Sequence, residues 1–324
     1  MAKLSDIQAP IRGDLQAFNA YFESVLHAPS RTMQYALRYV LRRRGKQLRP
    51  MLVYLSAGIC GGIREETSVA AAMVEMVHSA SLIHDDVVDQ ADMRRGLPSL
   101  YRIWKAKGAV LTGDYMLAQG LRLAVESGQY ELLGFINAAV QQMSIGELEQ
   151  LRRARKLRVD EVGYYDVIRG KTAALLAVCT QSGAHSAGAS PEQVERMRQL
   201  GEYIGMAFQI RDDILDFAEH PGIGKSSGND LKEGKMTLPI IYALEGVDPK
   251  ERRGYERLLL RARKDAKARS EALTFVRQSE GIARSEEKVR EFTQMAVALL
   301  DDFPPSAYAD SLRALAEYLV QRKK

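Results

Sequence analysis

Apolar residues recur at helical spacing along most of this 324-residue chain. Leu37 is followed by Val40 and Leu41, three and four positions later, and similar spacing is seen from Leu111 to Leu121. Runs that alternate apolar and polar residues, which would indicate half-buried strands, are scarce. An apolar stripe at this spacing is typical of a helix that buries one face. The sequence therefore predicts an all-α fold.

Glycine and proline residues separate the periodic segments from one another. The main breaks are Gly61-Gly62, Gly96-Leu97-Pro98, Ser127-Gly128, Ser190-Pro191, the stretch 221–234 and the stretch 303–306. The segments between these breaks predict about a dozen helices. No stretch has the composition of a long disordered linker, and no repeat of solenoid length is evident. We therefore expect a single domain over residues 1–324.

Charge and cysteine content narrow the class of protein. The 46 basic and 41 acidic side chains are well mixed and leave a net charge of +5, which does not call for a nucleic-acid partner. Basic clusters at 42–46 and 152–158 leave anionic ligands or a membrane surface open, although the second is better interpreted as a solvated helix face. Cys60 and Cys179 lie in apolar contexts typical of buried thiols. A cytoplasmic location fits this pattern.

The sequence predicts no membrane-spanning segment. The first ten residues lack an apolar signal core. The most apolar long stretch, residues 68–83, contains Glu75 and His78.

Two carboxylate motifs have the same spacing, i, i+1 and i+4. They consist of Asp85, Asp86 and Asp89, and of Asp212, Asp213 and Asp216. Residues four apart lie one turn apart on the same helix face, so each motif presents two carboxylates together and a third beside them. Such a cluster is unfavourable unless cations neutralise it, and Mg²⁺ takes a few carboxylates together with water and phosphate oxygens.

Apolar neighbours distinguish these motifs from the acidic ends of ordinary solvated helices. Leu82 and Ile83 precede the first motif, and Ile214, Leu215 and Phe217 lie within or after the second. Carboxylates in such surroundings are expected to point into a cleft.

The segments HDDVVDQADMRRG, QIRDDILDF and GKQLRP resemble the polyprenyl synthetase family, the all-α isoprenyl diphosphate synthases. RGKTAALL, GKSSGNDLKEGKMTLP and the terminal YLVQRKK extend the resemblance over nearly the whole chain. It implies one helical bundle of the isoprenoid synthase type around a deep central cavity. It also implies a trans-prenyltransferase that uses Mg²⁺ to join isopentenyl diphosphate to an allylic diphosphate.

The resemblance gives the two aspartate motifs a shared catalytic role. Asp85, Asp86 and Asp89 would bind Mg²⁺ with the allylic diphosphate, and Asp212, with Asp213 and Asp216, would hold a further ion from the opposite wall. The ions would stabilise the departing diphosphate, which leaves an allylic carbocation that the alkene of isopentenyl diphosphate attacks. Released diphosphate is the expected base, so no side chain is assigned that task.

The expected isopentenyl diphosphate site contains cations that neutralise phosphate and a glycine that permits close backbone approach. The matching residues are Gly45, Lys46, Arg49 and His78. By the same resemblance, Arg94 contacts the allylic diphosphate and Arg95 contacts isopentenyl diphosphate.

The remaining allylic-site positions are Lys171, Thr172, Gln209, Lys225 and Lys235. Lys171 and Thr172 are also expected to stabilise the carbocation. Lys225 and Lys235 lie in a glycine-rich stretch that suggests a flap closing over the diphosphate.

The helix before Asp85 is expected to limit product length. Its wall positions are Ser81, Ala80, Val77, Met76 and Met73. In the family, bulky aromatic residues nearest the motif give short products, whereas Ser81 and Ala80 are small. We therefore expect a product of about six or more isoprene units, since one helical turn of about 5.4 Å matches roughly one unit. A geranylgeranyl diphosphate synthase is the alternative.

Three other readings remain at this point. A class I terpene cyclase would also use DDxxD and Mg²⁺, but its second metal motif is usually an Asn/Ser/Glu pattern and it needs no GKQLRP site. A non-catalytic partner subunit would typically have degraded aspartate motifs. An HD-type phosphohydrolase would need further histidines, and His27 and His185 are isolated.

The expected substrates are isopentenyl diphosphate and farnesyl or geranylgeranyl diphosphate. The resemblance also implies a homodimer. We expect at most peripheral membrane contact, because a long polyprenyl tail must reach lipid.

Overall fold

The computed structural model describes residues 3–42, 45–94, 96–154, 160–218 and 228–321. Within these residues the chain forms sixteen α-helices. They are α1 (Leu4–Ile7), α2 (Arg12–Val25), α3 (Arg31–Leu41), α4 (Leu48–Ile59), α5 (Glu65–Val88), α6 (Leu100–Glu126), α7 (Tyr130–Ala154), α8 (Glu161–Ile168), α9 (Ala174–Ser186), α10 (Pro191–Asp216), α11 (Asn229–Glu233), α12 (Leu238–Glu245), α13 (Pro249–Ala262), α14 (Ala266–Gln278), α15 (Gly281–Ala298) and α16 (Ala307–Gln321).

Shorter elements join some of these helices. An antiparallel hairpin pairs β1 (Met93–Arg94) with β2 (Leu97–Pro98). Single 3₁₀ turns occur at Ala9–Ile11 and Leu299–Asp302, and a π-helical turn at Arg169–Ala173 leads into α9.

The all-α prediction is confirmed, but a dozen helices is too few. α1 and α11 contain four and five residues, too short for an apolar period to be visible in the sequence. Their boundaries come from capping and from packing on longer helices.

α5 lies at the centre of the largest buried cluster. It packs against α4, α6 and α9, and α10 in turn packs against α9 and α15. Apolar residues surround most of α5, including Ala72, Met73 and Met76, so the helix is buried on nearly every side. The aspartates at its C-terminal end are thereby held on a rigid element.

Glycines let α9 lie close to its neighbours. A Cβ on Gly183 would collide with the carbonyl oxygen of Val53 on α4. One on Gly205 of α10 would lie 2.5 Å from the Cα of Ala173, the last residue of the π-helical turn. The backbones therefore meet without side chains between them, which fixes the π-helical turn against α10.

The long helices carry charged residues throughout. α6 contains Lys105, Lys107 and Asp114, and α10 ends in the second aspartate motif. Among the described helices, none combines the length and the hydropathy that a membrane crossing requires.

Candidate functional site

The first aspartate motif ends α5. Asp85 and Asp86 lie in its last turn, and the backbone N–H of Asp89 caps it by donating to the carbonyl of Asp85 at 2.8 Å. Asp86 is buried, and Asp89 keeps the most exposure of the three. Desolvation raises the pKa of Asp85 and of Asp89, whereas the Lys171 ammonium lowers both. The motif therefore faces the π-helical turn that carries Lys171.

The hairpin brings Arg94 to Asp86. Nε of Arg94 donates to Oδ1 of Asp86 at 2.6 Å, and the Asp86 side chain is only 5% exposed. The hydroxyl of Tyr39 donates to the carbonyl of Pro98 at 2.6 Å and ties the hairpin to α3. The contact of Arg94 with an allylic diphosphate stays a prediction. It requires the guanidinium either to bind Asp86 and the diphosphate together or to leave Asp86.

An open cavity, the histidine cavity, lies on one side of the first motif and contains about 710 Å³ of empty space, part of it open to solvent. Its lining includes four residues predicted for the site, the substrate residues Gly45, His78 and Arg94 and the metal ligand Asp86. Phe22, Tyr39, Leu82 and Leu100 supply apolar walls. Its polar lining consists of Arg94, His78 and the carboxylates of Glu75 and Asp86, so a diphosphate there would rely on Arg94 and on a metal ion for positive charge.

Lys46 and Arg49 lie at the N-terminal end of α4. Nζ of Lys46 donates to the hydroxyl of Tyr318 on α16 at 3.0 Å. Gln47, between them, adopts the left-handed conformation with φ of 52° and donates to Oδ1 of Asn19 at 2.6 Å. A left-handed non-glycine residue is strained and persists where surrounding contacts hold it. Lys46 and Gln47, which lead into the first turn of α4, are thus held by contacts with α16 and α2.

Lys171 and Thr172 lie in the π-helical turn. Such turns widen the helix and are frequent at functional sites. A Cβ on Gly170 would lie 2.8 Å from the carbonyl oxygen of Gln142, and one on Gly146 would lie 3.0 Å from the backbone nitrogen of Lys171. Glycine at both positions therefore lets α7 press directly against this turn.

Glu147 follows Gly146 and meets Lys171 at this contact. Nζ of Lys171 lies 2.5 Å from Oε2 of Glu147, and the two side chains are 35% and 32% exposed. The Glu147 carboxylate also contributes to the raised pKa of Asp85 and Asp89. Lys171 therefore contacts Glu147 and also acts electrostatically on Asp85 and Asp89.

Asp213 of the second motif is buried in a hydrogen-bond network. The hydroxyl of Tyr164 donates to its Oδ2 at 2.7 Å, and the amide of Gln209 donates to its Oδ1 at 2.8 Å. The hydroxyl of Thr172 donates to Oε1 of Gln209 at 2.7 Å. Desolvation raises the pKa of Asp213, and the nearby Asp230 carboxylate raises it further. Thr172 and Gln209, both predicted for the allylic site, therefore form a chain of hydrogen bonds that ends on Asp213.

Asp216 joins the second motif to α11. Its Oδ1 accepts the backbone N–H of Asn229 at 3.1 Å, and its Oδ2 accepts that of Asp230 at 2.9 Å. Lys235, just after α11, lies 2.5 Å from Glu233 and 3.5 Å from Asp230. Burial raises the pKa of Asp230, an effect that Lys235 opposes. Asp216 therefore positions the segment that carries both groups.

A second open cavity, the aspartate cavity, lies between the π-helical turn, α10 and α11 and contains about 610 Å³ of empty space, part of it open to solvent. Its lining includes Tyr164, Lys171, Thr172, Gln209, Asp213, Asp230, Lys235 and Thr237. The hydroxyl of Thr237 is buried and lacks a hydrogen-bond partner among the described residues. An unsatisfied buried hydroxyl is unfavourable, so a polar ligand in this cavity would restore its bond.

These residues fit a hard divalent cation. Carboxylate oxygens are ligands that Mg²⁺ accepts together with water and diphosphate oxygens, and the ammonium groups in the same cleft can pair with the diphosphate. In the part of the chain that the structure describes, no three carboxylate, imidazole or thiolate groups are grouped closely enough to hold a metal alone. Substrate oxygens and water would have to complete any coordination sphere.

The predicted wall residues lie mostly in packed surroundings. Met73, Met76, Val77 and Ala80 are buried, whereas Ser81 keeps partial exposure and donates to the carbonyl of His78 at 2.9 Å. A Cβ on Gly120 of α6 would lie 3.9 Å from Sδ of Met76, so Met76 packs on α6.

Some site residues lie outside the described chain, and others were not predicted. Arg95 and Lys225 fall outside the described residues. Asp212 is half-buried at the end of α10. Tyr164, Glu147 and Asp230 contribute to the site but were missed. Asp230 could have been found as an acidic residue within the glycine-rich flap segment. Tyr164 and Glu147 lie in helices whose sequences show only apolar periodicity and no motif.

Comparison with known proteins places the chain in context. Residues 30–276 match the family model of the polyprenyl synthetases. The nonaprenyl diphosphate synthase of Mycobacterium tuberculosis is 36% identical over 97% of this chain and 94% of its own. The short chain isoprenyl diphosphate synthase of Methanothermobacter thermautotrophicus is 31% identical over 93% and 94%. Identity alone therefore does not separate long products from short ones.

Solved structures share the fold over the whole chain. A decaprenyl diphosphate synthase from Rhodobacter capsulatus superposes with a TM-score of 0.92 at 31% identity, covering 99% of this chain and 100% of its own. A polyprenyl synthase from Caulobacter crescentus, complexed with calcium and isoprenyl diphosphate, gives 0.89 at 29% identity over 99% and 98%.

Proposed function

The chain belongs to the polyprenyl synthetase family, and from this premise we propose that it condenses isopentenyl diphosphate with farnesyl or geranylgeranyl diphosphate to a long-chain all-trans polyprenyl diphosphate. One observation carries the proposal. Asp86 of the first aspartate motif lines the histidine cavity with His78 and Arg94. Lys171, whose ammonium lowers the pKa of Asp85 and Asp89, lines the aspartate cavity with Gln209 and Lys235. Each of the two substrate diphosphates can therefore have a cavity of its own near the first motif.

The allylic diphosphate is assigned to the aspartate cavity. Lys171 and Lys235 supply positive charge there, and Thr237 supplies a buried hydroxyl. These groups would stabilise the charge that develops on the departing diphosphate once the two ammonium groups exchange their carboxylate partners for it. Isopentenyl diphosphate is assigned to the histidine cavity, where apolar walls can orient its alkene and exclude water. Arg94 also lines this cavity, so its predicted contact with the allylic diphosphate does not follow from this assignment.

We assign the cofactor as Mg²⁺. When bound, it would act as a Lewis acid on the diphosphate oxygens. Asp85 and Asp89 on α5 and Asp212 on α10 are the residues proposed to hold it. Asp213 and Asp216 would support them, since both already accept two hydrogen bonds from protein donors. The calcium ion in the Caulobacter relative supports a divalent cation with the substrate.

Product length is assigned to the face of α5 that precedes Asp85. Ser81 and Ala80 are the wall residues nearest the motif, and neither fills space as an aromatic ring would. The floor must then be formed farther back, near Met73 and Met76, whose flexible side chains can adjust to a growing chain.

We also propose a homodimer formed through α6 and α7. Large apolar side chains on these helices are more than 45% exposed, namely Leu111, Leu121, Val125, Ile145 and Leu148. A concentration of exposed apolar residues on adjacent helices marks a protein interface.

The test is incubation of purified protein with Mg²⁺, radiolabelled isopentenyl diphosphate and farnesyl diphosphate, followed by chromatography of the dephosphorylated products. Products of about thirty carbons or more would support the proposal, because each helical turn of open wall accommodates about one isoprene unit. Asp85→Ala should abolish them. Products that stop at geranylgeranyl length would keep the reaction class and exclude the long-chain assignment. No incorporation with any allylic primer would point to a non-catalytic subunit.

A further inference from the structure

α13 presents a stripe of cations to solvent. Lys250, Arg253, Arg257, Arg261 and Lys264 follow one another at spacings of three and four residues and are all exposed. This spacing places the first four on one face of α13, over a length of about 17 Å at 1.5 Å per residue, and Lys264 follows in the turn after the helix. We call these five residues the α13 stripe. Leu260, 46% exposed, lies beside it.

The opposite face of α13 fixes the helix to the protein. Leu259 and Ala262 are buried in a core cluster with α12 and α14, and Tyr255 stacks on Phe275 with ring centroids 4.0 Å apart. The stripe therefore cannot turn inward without loss of this packing. Its cations are displayed as a fixed, nearly straight array.

The charges of the stripe are not neutralised within the described residues. No ion pair there involves Arg253, Arg257 or Arg261, whereas neighbouring Arg252 pairs with Glu256 at 3.4 Å. Asp248 and Asp265 use their carboxylates to cap α13 and α14. Residues 248–267 contain eight basic and four acidic side chains, in a chain whose net charge is +5. This segment therefore has a local excess of four positive charges.

The stripe lies on the side of the molecule where α11 closes the aspartate cavity. α13 packs against α11, and Arg263 at its C-terminal end lies against Gly234, where an added Cβ would be 2.6 Å from its Nε. A surface bound by α13 would therefore be adjacent to the segment that carries Asp230 and Lys235.

We infer that the α13 stripe docks the protein on a membrane whose lipids have anionic head groups. Several clustered basic residues at a surface are attracted to an anionic leaflet, and an exposed leucine among them can enter the interface. The choice of a lipid surface rests in part on the proposed function, since a polyprenyl product is strongly apolar. Single-stranded RNA is disfavoured as the partner, because Tyr255, the aromatic residue of α13, stacks on Phe275 on the opposite face of the helix and is not displayed for base stacking.

Co-sedimentation with lipid vesicles tests the inference. The intact protein is mixed, without substrate, with phosphatidylcholine vesicles that contain or lack phosphatidylglycerol, at low and high salt. We expect binding only to the anionic vesicles, weakened by salt. R253Q/R257Q/R261Q should lower binding about 100-fold, because each basic residue near an anionic surface contributes about fivefold.

The matched control is R12Q/R31Q/R290Q, which removes three exposed arginines from α2, α3 and α15. It should bind vesicles as the natural sequence does. Both triple variants should retain prenyl transfer from farnesyl diphosphate in solution, a readout that shows folding and tests the proposed function separately. Equal losses in both variants, no binding of the natural sequence, or stronger binding to poly(U) than to anionic vesicles would each overturn the inference.

Discussion

The charge balance at Lys171 is set by Glu147. The two groups are 2.5 Å apart before any diphosphate arrives, so the substrate must compete with a carboxylate of the protein. Glu147→Gln should lower the KM for the allylic diphosphate severalfold, because it frees the ammonium and removes a negative charge near Asp85. The effect is modest because both side chains are about one-third exposed to water.

Glu149→Gln is the matched control for this variant. Glu149 lies two residues away and pairs with Arg152 at 2.8 Å on the exposed side of α7, so its loss should leave the KM unchanged. Direct titration with inorganic diphosphate should show the same difference in binding. A raised KM for Glu147→Gln would show instead that Glu147 helps to bind the substrate or its metal.

Tyr164 holds the buried carboxylate of Asp213. Tyr164→Phe removes a 2.7 Å hydrogen bond and leaves Oδ2 of Asp213 without that donor. Loss of a partner for a buried polar group costs about 1–3 kcal/mol. We expect the free energy of unfolding to fall by about that amount in a denaturant titration. An unchanged midpoint would mean that water replaces the hydroxyl and that Asp213 is less enclosed than its burial indicates.

At the scale of elements, α5 is the part of the site most fully predicted from the sequence. Its apolar pattern indicates a helix, and the spacing of Asp85 and Asp89 indicates a shared face. The π-helical turn of Lys171 was not predictable, because its widened hydrogen bonding leaves no periodic signal. Glu147 was missed for a related reason. It reaches the site only because Gly146 and Gly170 let two backbones approach, a contact between segments distant in sequence.

The length of the product should respond to a single change on α5. Ser81→Phe places a ring one turn before Asp85, on the face proposed to line the growing chain. We expect the product distribution to shift towards geranylgeranyl length or shorter, while total incorporation of radiolabelled isopentenyl diphosphate persists. Ser81→Ala should retain long products. Long products from Ser81→Phe would place the limiting wall on another helix.

α11 should depend on Asp216 for its order. Both carboxylate oxygens accept backbone N–H groups from its first turn, and the helix has only five residues. Asp216→Ala should destabilise α11 by about 0.5–2 kcal/mol, the usual contribution of a capping side chain. Faster hydrogen exchange at Asn229 and Asp230, with unchanged exchange in α9, would be the expected signature. Equal protection in variant and parent would show that α13 and α14 alone hold α11 in place.

At the scale of the whole molecule, assembly should be governed by α6 and α7. Leu121 and Val125 lie four residues apart on one face of α6 and are 47% and 55% exposed, and Leu148 on α7 is 68% exposed. Burial of such residues contributes about 1.5–3 kcal/mol each, so charges there should oppose association strongly. Leu121→Glu with Leu148→Glu should convert a dimer into a monomer in light scattering coupled to gel filtration.

Leu260→Glu is the control for that measurement, since Leu260 is similarly exposed but lies on α13. It should leave the molar mass unchanged, because the proposed interface does not include α13. A dimer that survives the double substitution would move the interface away from α6 and α7. α6 packs on α5, and α7 packs on the π-helical turn. If the monomer forms but its unfolding midpoint also falls, the interface therefore stabilises the helices that carry Glu147 and the first aspartate motif.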